Sequence, residues 1–220
     1  MRAMQMEKDN RFLNLYLCLL QKYGYQNWWP LIEKGRVVYR ERKKIGSKKK
    51  FEIMVGAVLT QNTAWKNVEK ALLELHNSKL LSVKRILEVS NGELERKIKC
   101  SGYYRQKAKK LKALAEFIKK NPISKLEKIE TERLRNMLLG VYGIGKETAD
   151  SILLYAFNRP VFIVDIYTRR LFAKKGWISG NEEYDEIRSL VERNFPEDVR
   201  MLKEFHALIV EEGKNNKKRA

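Results

Sequence analysis

Leu138-Leu139-Gly140-Val141-Tyr142-Gly143-Ile144-Gly145-Lys146-Glu147-Thr148-Ala149 is the stretch on which the reading of this 220-residue chain turns. Two glycines bracket one apolar residue between two helical patterns. Leu134, Met137, Leu138 and Val141 lead in, and Ala149, Ile152, Leu153 and Ala156 lead out. A helix, a tight Gly-x-Gly turn and a second helix present unpaired backbone N–H groups, and glycine lets a phosphate approach them closely. Gly143, Gly145, Lys146 and Thr148 are the candidate ligands of a nucleic-acid backbone. The plainer reading is a Gly-capped turn between two core helices. An isolated acid, Asp165, stands 20 residues beyond Gly145, where the apolar run Val161 to Val164 meets a helical stretch, Ile166 to Lys174. Read locally, it is a helix N-cap.

Charge points the same way. Lys and Arg number 46 against 27 Asp and Glu, a formal net charge of +19. Pairing between lysines and glutamates accounts for a third of the residues being charged, but not for the surplus. An excess of cations favours polyanions through phosphate contacts and counterion release. With 44% hydrophobic residues the chain is long and apolar enough to bury a core. Cys18 and Cys100 are the two cysteines. Their separation suits buried thiols in a reduced intracellular protein better than a disulfide framework or a metal site. The apolar run Phe12 to Leu20 is too short to span a bilayer, so it reads as a core helix of a cytoplasmic protein with no membrane partner.

Helical periodicity recurs along the chain. It is carried by Phe12/Tyr16/Leu19, by Phe51 to Leu75, by Val83/Ile86/Leu87, by Leu94/Ile98 and by Ala108/Leu111/Leu114/Ala115/Ile118. Val161 to Val164 has strand composition, but a four-residue strand without a partner is better read as an extended connection. Arg40 to Lys50 is basic and aperiodic, a mobile loop that is either a solvated linker or an arm on DNA. Lys214 to Ala220 reads as a disordered tail. His76 and His206 show no ligand spacing and read as structural or surface residues.

The hairpin followed by Asp165 resembles the helix-hairpin-helix motif of DNA glycosylases related to endonuclease III. The resemblance covers most of residues 51–175, with thinner support at 28–30 and 205–214. It implies an all-α, two-lobed fold with a cleft between the lobes. Residues 50–158 would form a central helical domain ending in the hairpin, and 1–49 with 159–220 a second lobe. The implied partner is double-stranded DNA containing a damaged base, bound by a monomer at the nucleoid. Asp165 would be the catalytic carboxylate. Breaking an N-glycosidic bond develops positive charge on the sugar, which a fixed anion stabilises.

Many such relatives hold an iron–sulfur cluster on four closely spaced cysteines, which two distant thiols cannot provide. The expectation is no metal and no cofactor beyond a monovalent cation at the hairpin. In bifunctional members a lysine stands two residues after the second hairpin glycine and attacks the sugar as an amine. Here that residue is Glu147, while Lys146 is turned away by about 100° on a helix. A monofunctional, water-using enzyme that leaves an abasic site is implied. A bifunctional glycosylase/lyase and a non-catalytic DNA-binding protein stand as alternatives.

Gly56 to Trp65 resembles the element that enters the duplex in this family. Gln61 and Asn62 would be the wedge filling the space of an everted base, or simply an ordinary polar turn. Trp28, Trp29 and Pro30, with Phe51 and Lys214, match the base pocket of a small branch specific for 3-methyladenine, and Glu147 is placed with them. The plain alternative is that the aromatics are core and the lysine is tail. N3-alkylated adenine is already a cationic leaving group. It needs electron-rich rings to stack on and no general acid, which favours an alkylated purine, with uracil next.

Overall fold

The computed structural model describes residues 10–217, with side chains through residue 215. These residues are mostly helical and divide into two compact units. One joins the residues up to Gln26 with those from Pro160 onward, and the other is Asn27–Arg159.

In the first unit, α1 (Arg11–Tyr23) buries Phe12, Leu15, Tyr16 and Leu19, its expected stripe. It packs on α12 (Val199–Lys217), where Tyr16 meets the rings of Phe195 and Phe205. Between them in sequence come α10 (Ile166–Lys174) and α11 (Tyr184–Asn194). Helices α10 and α12 approach closely because Gly213 has no side chain: a Cβ there would lie 2.2 Å from Tyr167 Cδ1. The segment 161–164 is buried and extended without a strand partner. Side chains of α11 replace the missing ladder. Phe162 N–H donates to Glu192 at 2.8 Å, and Val164 N–H donates to the Tyr184 hydroxyl at 3.3 Å.

The second unit is built round α2 (Ser47–Leu59), which is buried continuously from Lys50 to Leu59. Such an all-round apolar helix belongs at the centre of its unit. Around it lie α3 (Trp65–Asn77), α4 (Val83–Glu88), α5 (Asn91–Lys97), α6 (Tyr104–Lys120) and α7 (Ile123–Leu126). The hairpin pair follows, α8 (Thr131–Leu139) and α9 (Lys146–Ser151), the latter continuing through a π-helical turn, Ile152–Ala156.

The all-α fold class holds, and four details are added or corrected. The unit is not purely helical: β1 (Leu31–Glu33) and β2 (Arg36–Val38) pair antiparallel, with Ile32 opposite Val37. Lys34 and Gly35, both at positive φ, make the two-residue turn that joins them. Secondly, 27–49 cluster with the central unit instead of the terminal one. β1 is tied to α2, Ile32 N–H donating to the buried Glu52 at 2.6 Å. Thirdly, the basic segment 40–50 is not one loop. α2 starts at Ser47, Lys50 pairs with Glu127, and Arg42 is bound by Glu33 and the Val38 carbonyl. Lastly, Cys18 and Cys100 are exposed, Cys18 because it falls outside the apolar stripe of α1. The expected tail is helical to Lys217, and residues 218–220 lie outside the described residues. Among the described residues no helix is long and apolar enough to cross a membrane.

A buried ion pair ties α8 to α9. Arg135 holds both Asp150 oxygens, at 2.7 and 3.1 Å, with Asp150 fully buried. Removing one partner strands a charge in a dry site. Arg135→Met should cost about 3–5 kcal/mol in urea denaturation, and Arg135→Met with Asp150→Leu should recover most of it.

Candidate nucleic-acid interface and candidate carboxylate

In the unit Asn27–Arg159, the hairpin turn uses its glycines differently. Gly143 sits at φ 79°, which favours glycine, whereas Gly145 is extended and caps α9. Space around a Cβ at Gly145 is open, so its backbone can be approached from outside. At Gly143 the opposite holds: a Cβ would lie 2.3 Å from Lys110 Cγ, because the Lys110 stem runs over that residue. Lys146 and Glu147 are exposed, while Thr148 is buried. The turn therefore leaves Gly145 and Lys146 exposed and turns its threonine inward.

Thr148 faces the candidate wedge. Gln61 Nε2 donates to the Thr148 hydroxyl at 2.9 Å and to the Gly143 carbonyl at 3.0 Å, and its Oε1 accepts from Lys110 Nζ at 2.5 Å. Both the nitrogen and the oxygen of this amide are thus engaged, with the hairpin and with Lys110. Asn62 is the exposed neighbour, held at φ 52° at the tip of the loop. The geometry thus joins two candidate elements that are 82 residues apart in sequence. Lys110 was not among the sequence candidates. Its signal was faint, one lysine within the basic run Lys107 to Lys112.

The loop bearing Gln61 leaves the C-terminus of α2, where carbonyls lack intrahelical donors. A buried lysine supplies one. Lys107 Nζ donates to Leu59 O at 2.9 Å and to Ser101 O at 2.6 Å.

The aromatic candidates also converge within this unit. Trp28 packs on Trp65 with ring centroids 4.6 Å apart, and Trp29 meets Trp65 and Tyr155 at 5.0 and 5.1 Å. Trp29 is buried against α2 at Gly56, where a Cβ would come within 2.9 Å of its ring. Pro30 and Phe51 are buried, and Trp28 is half-buried. The Tyr39 hydroxyl takes the Trp65 N–H at 2.7 Å and donates to Glu69 at 2.5 Å. Burial and the Glu69 charge push its pKa up. Tyr39, Trp65 and Glu69 were not among the sequence candidates for this aromatic group.

In the terminal unit, Asp165 is the N-cap of α10, and its Oδ1 accepts Thr168 N–H at 2.7 Å. It is 8% exposed. Oδ2 lies 3.7 Å from Nε2 of His206, a residue of α12 that is 9% exposed. Burial by itself raises the Asp165 pKa. The neighbouring His206 side chain and then the Thr168 N–H outweigh it and hold the carboxyl below its usual range. Sequence reading took His206 for structural or surface. His76 is exposed, but His206 faces the candidate catalytic acid. Lys214 is partly exposed and lies 3.9 Å from Glu211. Among the described residues no cluster of three or more His, Cys, Asp or Glu side chains has the arrangement to hold a metal ion.

Residues 55–197 match the family model of the HhH-GPD superfamily of base excision DNA repair proteins. A protein of Methanocaldococcus jannaschii, provisionally named a DNA repair glycosylase, is 43% identical over 93% of this chain and 89% of its own. The endonuclease III of Sulfolobus acidocaldarius is 26% identical over 74% of this chain and 72% of its own. Among solved structures, H. pylori 3-methyladenine DNA glycosylase bound to 1,N6-ethenoadenine superposes with a TM-score of 0.71. It is 30% identical, covering 93% of this chain and 98% of that one. A trapped endonuclease III–DNA covalent intermediate shares the fold, with a TM-score of 0.69 at 19% identity over 90% of this chain and 84% of that one.

Lys107 gives the wedge element a measurable signature. Burial first, and the charge of Lys110 second, lower its pKa to about 8. Between about pH 8 and the ordinary lysine value, the unfolded chain holds a proton that the folded chain has released. Stability from this group therefore rises with pH across that window and is lost as pH falls through about 8. Urea denaturation of wild type and Lys107→Met at several pH values should show the difference between them widening above pH ~8.

Proposed function

The chain belongs to the HhH-GPD superfamily of base excision DNA repair proteins and is a DNA glycosylase, and on that premise we propose that it is monofunctional. In this reading it hydrolyses the N-glycosidic bond of an alkylated purine such as 3-methyladenine in duplex DNA, acting as a monomer and leaving an abasic site. Asp165 is the catalytic carboxylate, and its environment is the observation that carries the reading. A buried acid whose pKa is held down is a ready-made anion at neutral pH, and its N-cap bond leaves Oδ2 outside the helix-capping interaction. Such an anion stabilises an oxocarbenium-like sugar and orients the attacking water.

Absence of the lyase residue supports the monofunctional assignment. Glu147 stands where bifunctional members carry their lysine, and a carboxylate forms no imine. The 30% identity to a 3-methyladenine glycosylase across almost the whole chain supports the choice of alkylpurine. So does the electron-rich group of Trp28, Trp29 and Trp65, since a cationic base is attracted to aromatic faces and departs without a general acid. Pro30, Phe51 and Glu147 are the further proposed base-site residues of this unit, with uracil as the next candidate substrate.

The hairpin is proposed to hold one DNA phosphate on the amides of Gly143 and Gly145, with Lys146 adding charge and Thr148 anchoring the turn from within. Asn62 and Gln61 are the proposed wedge, Gln61 entering the duplex only by giving up its bonds to the hairpin. A monovalent cation at the turn stays within the proposal. The Val141 and Gly143 carbonyls each accept one hydrogen bond, from Ile144 N–H and from Gln61, and each keeps a lone pair.

Duplexes carrying 3-methyladenine, hypoxanthine, uracil or 8-oxoguanine, treated with enzyme and then with alkali, should show release of the alkylated purine. Asp165→Asn should slow release by about 100- to 1000-fold while keeping affinity for an abasic-analogue duplex. Borohydride should trap no enzyme on DNA, and a trapped adduct would establish the bifunctional alternative. If Asp165→Asn altered affinity alone, with no base released by either protein, the chain would be a DNA-binding module.

A further inference from the structure

Asp165 has two oxygens with unlike neighbours. Oδ1 is fixed by Thr168 N–H within its own helix turn. Oδ2 meets a side chain from a different helix, the His206 imidazole, at 3.7 Å. Both side chains are about nine-tenths buried. One hydrogen bond does not fix a carboxylate, because rotation about Cβ–Cγ is broad and roughly twofold. A buried imidazole nitrogen 3.7 Å from the other oxygen is placed to restrict that freedom by a small closing movement.

We propose that His206 is the positioning residue of the catalytic carboxylate, its imidazole beside Oδ2 keeping the carboxyl correctly turned. This rests on Asp165 being the catalytic acid. His206 acts through Asp165 and is not itself assigned to touch base or sugar. Its place is over-determined by packing. Phe205, Ala207, Leu208 and Ile209 on either side of it are buried, so α12 cannot rotate to withdraw it without exposing them. The close approach of Tyr167 to Gly213 holds α12 against α10, the helix that Asp165 caps. The direction of the Asp165 shift agrees: burial opposes ionisation, and His206 is the largest influence favouring it.

The test uses three full-length variants and two measurements, single-turnover base release and affinity for an abasic-analogue duplex. His206→Leu removes the donor while remaining apolar. His206→Gln puts an amide N–H at comparable reach. His206→Leu should slow base release roughly 10- to 100-fold, the scale of a misplaced catalytic group, and leave affinity within about twofold. His206→Gln should restore most of the lost rate. The proposal is overturned if His206→Leu retains the wild-type rate, or if affinity falls in step with rate and His206→Gln restores neither. Asp165→Asn separates the two levels. If that variant keeps base release, the catalytic assignment itself is wrong. If it is inactive while His206→Leu is unaffected, only the positioning role fails.

Discussion

Helix ends and loop carbonyls need donors, and in the unit Asn27–Arg159 long cationic side chains supply many of them. Lys107 serves Leu59 O and Ser101 O, Lys112 serves Leu87 O and Val89 O, and Arg159 serves Glu127 O and Ile129 O. Lys49 and Arg42 do the same for Ile32 and Val38 around the small sheet. A buried carbonyl without a partner costs about as much as the hydrogen bond it lacks, so short helices joined by tight turns depend on these contacts. Part of the +19 surplus is therefore structural. Exposed cations such as Lys146 at the hairpin present their charge at the surface, where a polyanion can meet it.

The same economy shapes the hairpin. Gly143 answers two demands at once, a positive φ and the passage of the Lys110 stem, while Gly145 answers neither and is open to approach. Lys110 and Gln61 then connect the turn to the loop after α2 through three hydrogen bonds. A contact made by the hairpin with a phosphate is thus one side chain away from the residue proposed to enter the duplex. The Arg135–Asp150 pair beneath, linking α8 to α9, gives the turn a stiff base.

Asp165 shows how a capping role leaves room for the proposed chemical role in one side chain. An N-cap needs a single acceptor oxygen, and a carboxylate has two. The first oxygen completes α10, and the second lies beside His206. The sequence allowed Asp165 to be cap and catalyst at once, and the structure places it as the cap of α10 with its second oxygen beside His206.

The chain by itself determined the helical character, the span of α10 from Ile166 to Lys174, the turn at Gly143 to Gly145 and the acid that follows it, because periodicity, glycine and capping chemistry act within a few residues. The β1–β2 pair was also locally encoded, in Lys34-Gly35 between β-branched runs, although the helical pattern around it masked the signal. Tertiary structure alone decided the rest. That Gln61 binds the hairpin, that Lys107 is buried, that residues 27–49 join the central unit and that His206 meets Asp165 all depend on side chains brought together from distant positions. A histidine 41 residues from an aspartate carries no spacing rule; only the packing of α12 against α10 makes them neighbours.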